Sequence, residues 1–292
     1  MTVVVGYRAG EVGLSGLHLA VRVARTRDTS LTVATIVPKP WLTPSLGHVD
    51  AEYVHWADNL AADSADEVEG YLHGLADGIE VTYVHLVHRS VSGGLIQVID
   101  EVDAEIVVLG SLPSGGRGQV VIGSTADWLL HVSPVPVAIS PRGYRSYTGG
   151  LTRVTCAYSA TPDSIDVVRR CVEFTQPLGL PIRVITFAVR GKTMYPPQVG
   201  TDVEDSILQA WASQAREVLE NLKTERLVGE DAVLEVVTGR SWKDALGKAH
   251  WQDGEILALG STPRGDIRRV FVGSRSGKII RASSVPVLAL PG

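Results

Sequence analysis

Residues 107–125 read VVLGSLPSGGRGQVVIGST, and residues 257–275 read LALGSTPRGDIRRVFVGSR. Each is an apolar run ending in Gly-Ser, followed by a proline and then by a second Gly-Ser 13 positions after the first. Runs of Val, Ile and Leu that stop at glycine suit strands buried on both faces. A Ser or Thr at the start of the segment that follows is a helix-start signal. The same strand–loop–helix passage is therefore written twice, 150 positions apart.

The repeat extends in both directions. Gly110 and Gly260, Gly123 and Gly273, and Pro136 and Pro286 all differ by 150. Leu14, Leu17, Val21 and Ala24 mark one helical face, answered at an offset of 151 by Ile165, Val168, Val172 and Thr175. Ala57, Ala61, Ala65, Val68 and Leu72 form a second stripe, matched by Ile207, Trp211, Ala215, Val218 and Leu222. Five short apolar runs per half alternate with helical segments, placed near 13–27, 50–77, 91–102 and 123–132 in the first half. That order predicts α/β units with right-handed crossovers and a parallel sheet covered on both faces. The expected division is a first domain over 1–141, a linker over 142–151 and a second domain over 152–292. The linker's Pro, Gly, Arg and Ser content reads as an exposed connection.

Composition narrows the function classes. With 45% apolar and 20% charged residues in 292, the chain can bury two cores and is no disordered segment. No apolar run is long enough to span a bilayer, and MTVVVGYRAG lacks a signal core, so a cytoplasmic protein without a membrane partner is expected. A net charge of −5 argues against nucleic acid as a partner. The charge is uneven: residues 1–145 carry 9 basic against 16 acidic side chains, while 146–292 carry 18 against 16. The only cysteines, Cys156 and Cys171, read as small buried hydrophobes rather than a redox pair.

In an open parallel sheet, ligands settle beyond the carboxyl ends of the strands, near the reversal of strand order. Gly110 and Gly260 end strands of this kind. At Gly123-Ser124-Thr125 and Gly273-Ser274-Arg275 a helix begins, with its backbone N–H groups and positive dipole end turned outward. That is a phosphate-binding arrangement. Strand-to-helix turns also demand Gly and Ser for conformational reasons alone, so the duplicated spacing is what gives the reading weight.

A glycine loop, nine residues, then Gly-Ser/Thr, a helix and a PVPV-type last strand resemble the universal stress protein family. The likeness covers nearly the whole chain as two domains in tandem, in the manner of actinobacterial members. It implies two Rossmann-like domains of the adenine-nucleotide-alpha-hydrolase kind, each with a five-stranded parallel sheet ordered 3-2-1-4-5. It further implies a stress-response module that binds ATP, with magnesium, in at least one domain. The phosphates would lie at Gly110, Gly123, Ser124 and Thr125, or at Gly260, Gly273, Ser274 and Arg275. Family members dimerise through the last strand, which implies that PVPVAI and PVLALP pair within the chain as an internal pseudo-dimer, and that two chains could form a homodimer. An unidentified protein partner fits the same regulatory role.

The departures from the family pattern are specific. Pro113 and Pro263 stand where its second loop glycine would be, each removing a backbone donor. Arg8 and Ser159 stand where ATP-binding relatives tend to carry an aspartate. Both support an alternative reading, a nucleotide-independent interaction protein. Arg264, Arg268, Arg269 and Arg275, with Lys278 beyond them, could offset phosphate charge around the second loop, whereas the first loop has only Arg117.

No catalytic or metal set emerges. Gly191-Lys192-Thr193 lacks the leading glycine of a P-loop, and His85 and His88 fall on opposite faces of a strand. Without a general base or metal carboxylate near the loops, any ATP turnover would be slow. The Pro-rich segments 38–50 and 189–203, holding Trp41 and Tyr195, are candidate lids on the same side of the sheet.

Overall fold

The computed structural model describes residues 2–8, 13–39, 47–146, 148–159, 162–189, 201–260, 262–263, 269–270 and 276–291. The lid residues 40–46 and 190–200, with Trp41 and Tyr195, lie outside the described residues, and so do Arg264, Arg268, Gly273, Ser274 and Arg275. Two compact units form, Met1–Gly150 and Leu151–Leu290.

The first unit runs β1 (Thr2–Gly6), α1 (Leu14–Arg27), β2 (Ser30–Pro38), α2 (Gly47–Leu72), β3 (Val81–His88), α3 (Val91–Glu101), β4 (Ala104–Gly110), α4 (Ser124–Val132) and β5 (Val137–Ser140). The second runs β6 (Arg153–Ala157), α5 (Pro162–Thr175), β7 (Ile182–Val189), α6 (Thr201–Thr224), β8 (Val233–Gly239), α7 (Trp242–Gly247), β9 (Glu255–Gly260), the short strands β10 (Thr262–Pro263) and β11 (Arg269–Val270), α8 (Ser276–Ala282) and β12 (Val287–Leu290). In the first unit the strands lie β3-β2-β1-β4-β5, in the second β8-β7-β6-β9-β12, and every neighbouring pair is parallel. The expected order 3-2-1-4-5 is present in both units.

The strand interiors explain the layering. Val3, Val4 and Val5 of β1 and Ile106, Val107 and Val108 of β4 are wholly buried, as strands covered by helices on both faces require. Helix α1 packs on β1, β4 and β5, and α3 packs on β2, β3 and β4. One feature of the second unit was not expected from the sequence. The loop after β9 carries an antiparallel ribbon, with Thr262 opposite Val270 and Pro263 opposite Arg269.

Helix α1 departs from the amphipathic reading, because Ser15 through Ala24 are all buried, His18 and Arg22 included. Tyr144, Arg145 and Ser146 lie against its polar side chains. His18 Nδ1 meets the Ser146 carbonyl at 2.7 Å, and its Nε2 meets the Tyr71 hydroxyl at 2.7 Å and Arg145 Nη1 at 2.9 Å. Arg22 Nη1 donates to the Tyr144 hydroxyl at 2.8 Å. The segment that composition marks as an exposed connection is therefore partly buried, with Ser146 at 3% exposure. Arginine can only donate, so Nε2 accepts from Arg145, while Nδ1 lies against both the carbonyl and, at 3.1 Å, the N–H of Ser146. Burial lowers the His18 pKa, the Ser146 backbone contact opposes this, and the Arg145 and Arg22 guanidinium groups add to the lowering.

At the opposite end of the second sheet from its cleft, Arg183 at the start of β7 is enclosed by partners. It reaches Glu255 Oε1 at 2.7 Å, Glu235 Oε2 at 2.9 Å, the Ala249 carbonyl at 2.7 Å and Thr155 Oγ1 at 2.9 Å, and lies over the Trp251 ring. Glu255 also binds Arg153 at 2.7 Å. A buried charge needs this degree of satisfaction. Cys156 and Cys171 are free and buried. Burial raises the Cys171 thiol pKa, with Cys156 beside it adding to the effect.

Candidate functional site

Each unit holds a cleft beyond the carboxyl ends of its central strands, where the strand order reverses. In the first unit the cavity is about 290 Å3. Its floor is Gly6 and Tyr7 after β1 and Leu109 and Gly110 of β4, and its rim carries Arg8, Leu112, Pro113 and the start of α4. Gly110, Gly123, Ser124 and Thr125 all line this one cavity, so the four residues singled out in the first half converge.

The helix start differs from the expected cap. Gly123 is the N-cap, extended at φ −87° and ψ 171°, with no side-chain cap bond. Ser124 and Thr125 are the first two helical residues, and Asp127 N–H is the first to bond back, to the Gly123 carbonyl at 2.8 Å. The N–H groups of Ser124, Thr125 and Ala126 thus precede the helix's own hydrogen bonds, and these three residues line the cavity. With the dipole behind them and Arg8 at the rim, they suit an anion. Gly123 also lies under Leu112, whose side chain would stand 3.1 Å from an added Cβ.

The loop from 111 to 123 is organised by its own contacts. Leu112 N–H donates to the Val121 carbonyl at 3.0 Å, and Val121 N–H to Ser111 Oγ at 2.7 Å. Gly116 N–H donates to Gln119 Oε1 at 3.0 Å, and Gly118 N–H to the Arg142 carbonyl at 2.8 Å. Gly118 has φ +77°, where glycine is needed. The glycines near Pro113 thus serve the loop's own shape, and the donors beside the cavity are those at the start of the helix. Arg117 is exposed and lies against Gly143. Burial raises the Tyr7 hydroxyl pKa, with Glu67 adding to the effect.

The second cleft is about 590 Å3. Tyr158 and Ser159 after β6, Thr186 and Phe187 of β7, Leu259 and Gly260 of β9, and Trp211, Gln214 and Trp242 from the helices line it. Of the second set of candidates, Gly260 is in this cleft, while Gly273, Ser274 and Arg275 lie outside the described residues. Gly260 has a packing reason of its own: an added Cβ would stand 2.0 Å from Val167 of α5. Lys278 is exposed. Trp211 was read as part of a core-facing stripe, yet it is 46% exposed at the cleft. Leu222 of that stripe is buried, and Ala212 and Leu219 are buried with it. The signal for the second cleft was three aromatics whose first-half counterparts are Ile36, Ala61 and Val91. His85 and His88 show no metal arrangement, and no metal-holding cluster occurs among the described residues.

Two doubly wound α/β units with paired clefts define the class of protein, and comparison with known proteins supplies the family. The sequence profile of the universal stress protein family matches residues 1–141 and again 150–291. A universal stress protein of Mycobacterium tuberculosis is 65% identical over 292 residues, covering all of both chains. The crystal structure of a universal stress protein from Archaeoglobus fulgidus superposes with a TM-score of 0.61 at 17% identity, covering 99% of this chain and 98% of that one. A putative universal stress protein from Pseudomonas aeruginosa gives 0.57 at 12% identity, over 99% and 92%. The chain belongs to the universal stress protein family, as a member with two such domains in tandem. No helix among the described residues is long and apolar enough to cross a membrane.

Proposed function

We propose that this protein is a nucleotide-responsive regulatory module of the stress response, with an adenine nucleotide, ATP in the first instance, held in the cleft of the first unit. The observation that carries the reading is the start of α4. The first three helical residues, whose N–H groups have no side-chain cap, line the same cavity as Gly110 and Arg8. Phosphates would lie against Gly123, Ser124 and Thr125, with Arg8 offsetting their charge. The described lining offers no carboxylate, so magnesium would be carried by the phosphates rather than by the protein. The counterpart set in the second unit is Gly260, Gly273, Ser274 and Arg275.

A second reading, a nucleotide-independent interaction protein, is favoured by the loop itself. Pro113 lacks an N–H, and the N–H groups of Leu112, Gly116 and Gly118 turn to Val121, Gln119 and Arg142 rather than to the cavity.

Thermal unfolding with and without millimolar Mg-ATP, ADP and AMP separates the two. A nucleotide present at about 100 times its Kd adds about 2.7 kcal/mol and raises the midpoint. Ser124→Pro is the discriminating variant. Proline is tolerated at the first helical position, and the extended Gly123 before it suits the restriction that proline imposes. It deletes one N–H and leaves the helix in place, so the shift should shrink, as it should in Arg8→Ala. No shift with any nucleotide would select the second reading.

A further inference from the structure

Helix α1 carries a buried polar pair that its counterpart in the second copy lacks. At the 151-residue offset, His18 and Arg22 correspond to Arg169 and Glu173 of α5, which are exposed. Folding such a unit therefore does not require a buried His and Arg at these places. Burying them costs free energy unless partners are supplied, and partners come from the segment after β5. Ser146 and Arg145 meet the two ring nitrogens of His18, while the Tyr144 hydroxyl and the Thr148 carbonyl accept from Arg22 at 2.8 and 3.5 Å.

The same segment holds the loop beside the first cleft. Gly118 N–H donates to the Arg142 carbonyl at 2.8 Å, and Arg142 N–H to the Gln119 carbonyl at 2.9 Å. The Arg142 guanidinium donates to the Gly115 carbonyl. Gly143 N–H then donates to Ser15 Oγ of α1 at 2.9 Å. Residues 142–146 thus grip the loop at one end and His18 at the other. A proton on His18 breaks the second grip, because Nε2 accepts from Arg145 and a protonated ring has no lone pair to offer. The groups facing the ring are Arg145 and the Ser146 backbone from the segment, Arg22 from α1 and the Tyr71 hydroxyl from α2. Glu67, one turn before Tyr71, is bonded to the Tyr7 hydroxyl. Two of the groups facing the ring are guanidinium groups. They repel a ring proton while the segment is docked, and the ring gains one more readily once Arg145 has left.

We propose that residues 142–146 form a clasp on the 111–123 loop, closed while His18 is neutral and released when its ring takes up a proton. Release removes the Arg142 bonds to Gly115, Gly118 and Gln119, so the loop beside the first cleft loosens on acidification. Histidine suits such a switch because its ordinary pKa lies near neutrality. A freed ring of pKa about 6.5 is charged about ten times more often than neutral at pH 5.5, which sets a ceiling of about tenfold on the shift. As control over ligand binding this rests on the nucleotide reading of the first cleft; as a conformational device it does not.

Amide hydrogen exchange of the full chain, resolved by NMR, tests the clasp without a ligand. The Gly118, Arg142 and Gly143 amides should be less protected than those of Val4 and Val5 in β1, because they open locally. Their protection should fall several-fold, up to about tenfold, from about pH 7.5 to about pH 5.5. The fall should vanish in His18→Gln, whose side chain takes up no proton. It should shrink in Arg145→Ala, which alters an exposed side chain and should fold. Equal falls in all three proteins, or no fall in the wild type, would overturn the proposal. So would protection equal to that of Val4 and Val5, since the segment would then leave only on global unfolding. With Mg-ATP, the Kd should rise on acidification more in the wild type than in His18→Gln, a comparison that corrects for protonation of the nucleotide itself. Equal rises with the clasp open would overturn its control of the cleft. If ATP binds at neither pH while the amides exchange as expected, the nucleotide reading falls and the clasp stands.

Discussion

At the residue scale, Gly260 at the end of β9 is first a packing residue, whereas a Cβ at Gly110 would meet nothing nearer than 3.7 Å. In Gly260→Ala the new methyl would stand 2.0 Å from Val167 Cγ2, a separation no real contact shows, so α5 or β9 must shift. A loss of about 1–3 kcal/mol in urea unfolding is expected, as for other overpacked core sites. His18 gives a second prediction. Its pKa lies below the ordinary 6.5 because burial and two guanidinium groups disfavour the charged ring. The unfolded chain therefore binds the proton more readily than the folded one. The stability from His18 is complete above about pH 6.5 and drains as pH falls towards the folded-state pKa. Urea midpoints should drop between about pH 7.5 and about pH 5.5, and the drop should be smaller in His18→Gln, which has no proton to gain. An equal drop in both proteins would remove His18 as its source.

At the element scale, α1 and α6 show where periodicity stops being informative. The stripe Leu14, Leu17, Val21 and Ala24 marks one face of α1, yet the i, i+4 pair His18 and Arg22 off that stripe is buried too. It is buried because Tyr144, Arg145 and Ser146 come down onto it. Trp211 reads as core because it is large and apolar, yet it stands at the rim of a cleft. Among the strands of the second unit, the Arg183–Glu255–Arg153 cluster is a tertiary element of the same kind. Glu255→Gln would leave two guanidinium groups against a neutral amide in a site of almost no solvent exposure. Breaking such a buried pair costs about 3–5 kcal/mol, measurable by denaturant unfolding. A loss of only a few tenths would mean that the cluster relaxes into solvent.

At the scale of the whole molecule, the duplication was legible before any coordinates. A fixed offset in glycines, prolines and apolar stripes survives because each marks a backbone or packing need repeated in the second copy. Charge and cavity lining have drifted apart, since neither is needed to fold a unit. The acidic first half holds the smaller cleft with Arg8, and the second half holds the larger, aromatic one.

The sequence by itself determined the two α/β units, their strand order through family resemblance, and the convergence of Gly110, Gly123, Ser124 and Thr125. These follow from local rules: apolar runs make strands, glycine ends them, and a helix must start where the loop finishes. Only the tertiary structure decided that Gly123 rather than a serine caps α4. It alone turned the donors of the 111–123 loop onto the loop itself, buried His18 and Arg22, and gathered Trp211, Phe187 and Trp242 around one cavity. Each of these depends on contacts between residues far apart in the chain, where side-chain type no longer says which neighbour it will meet.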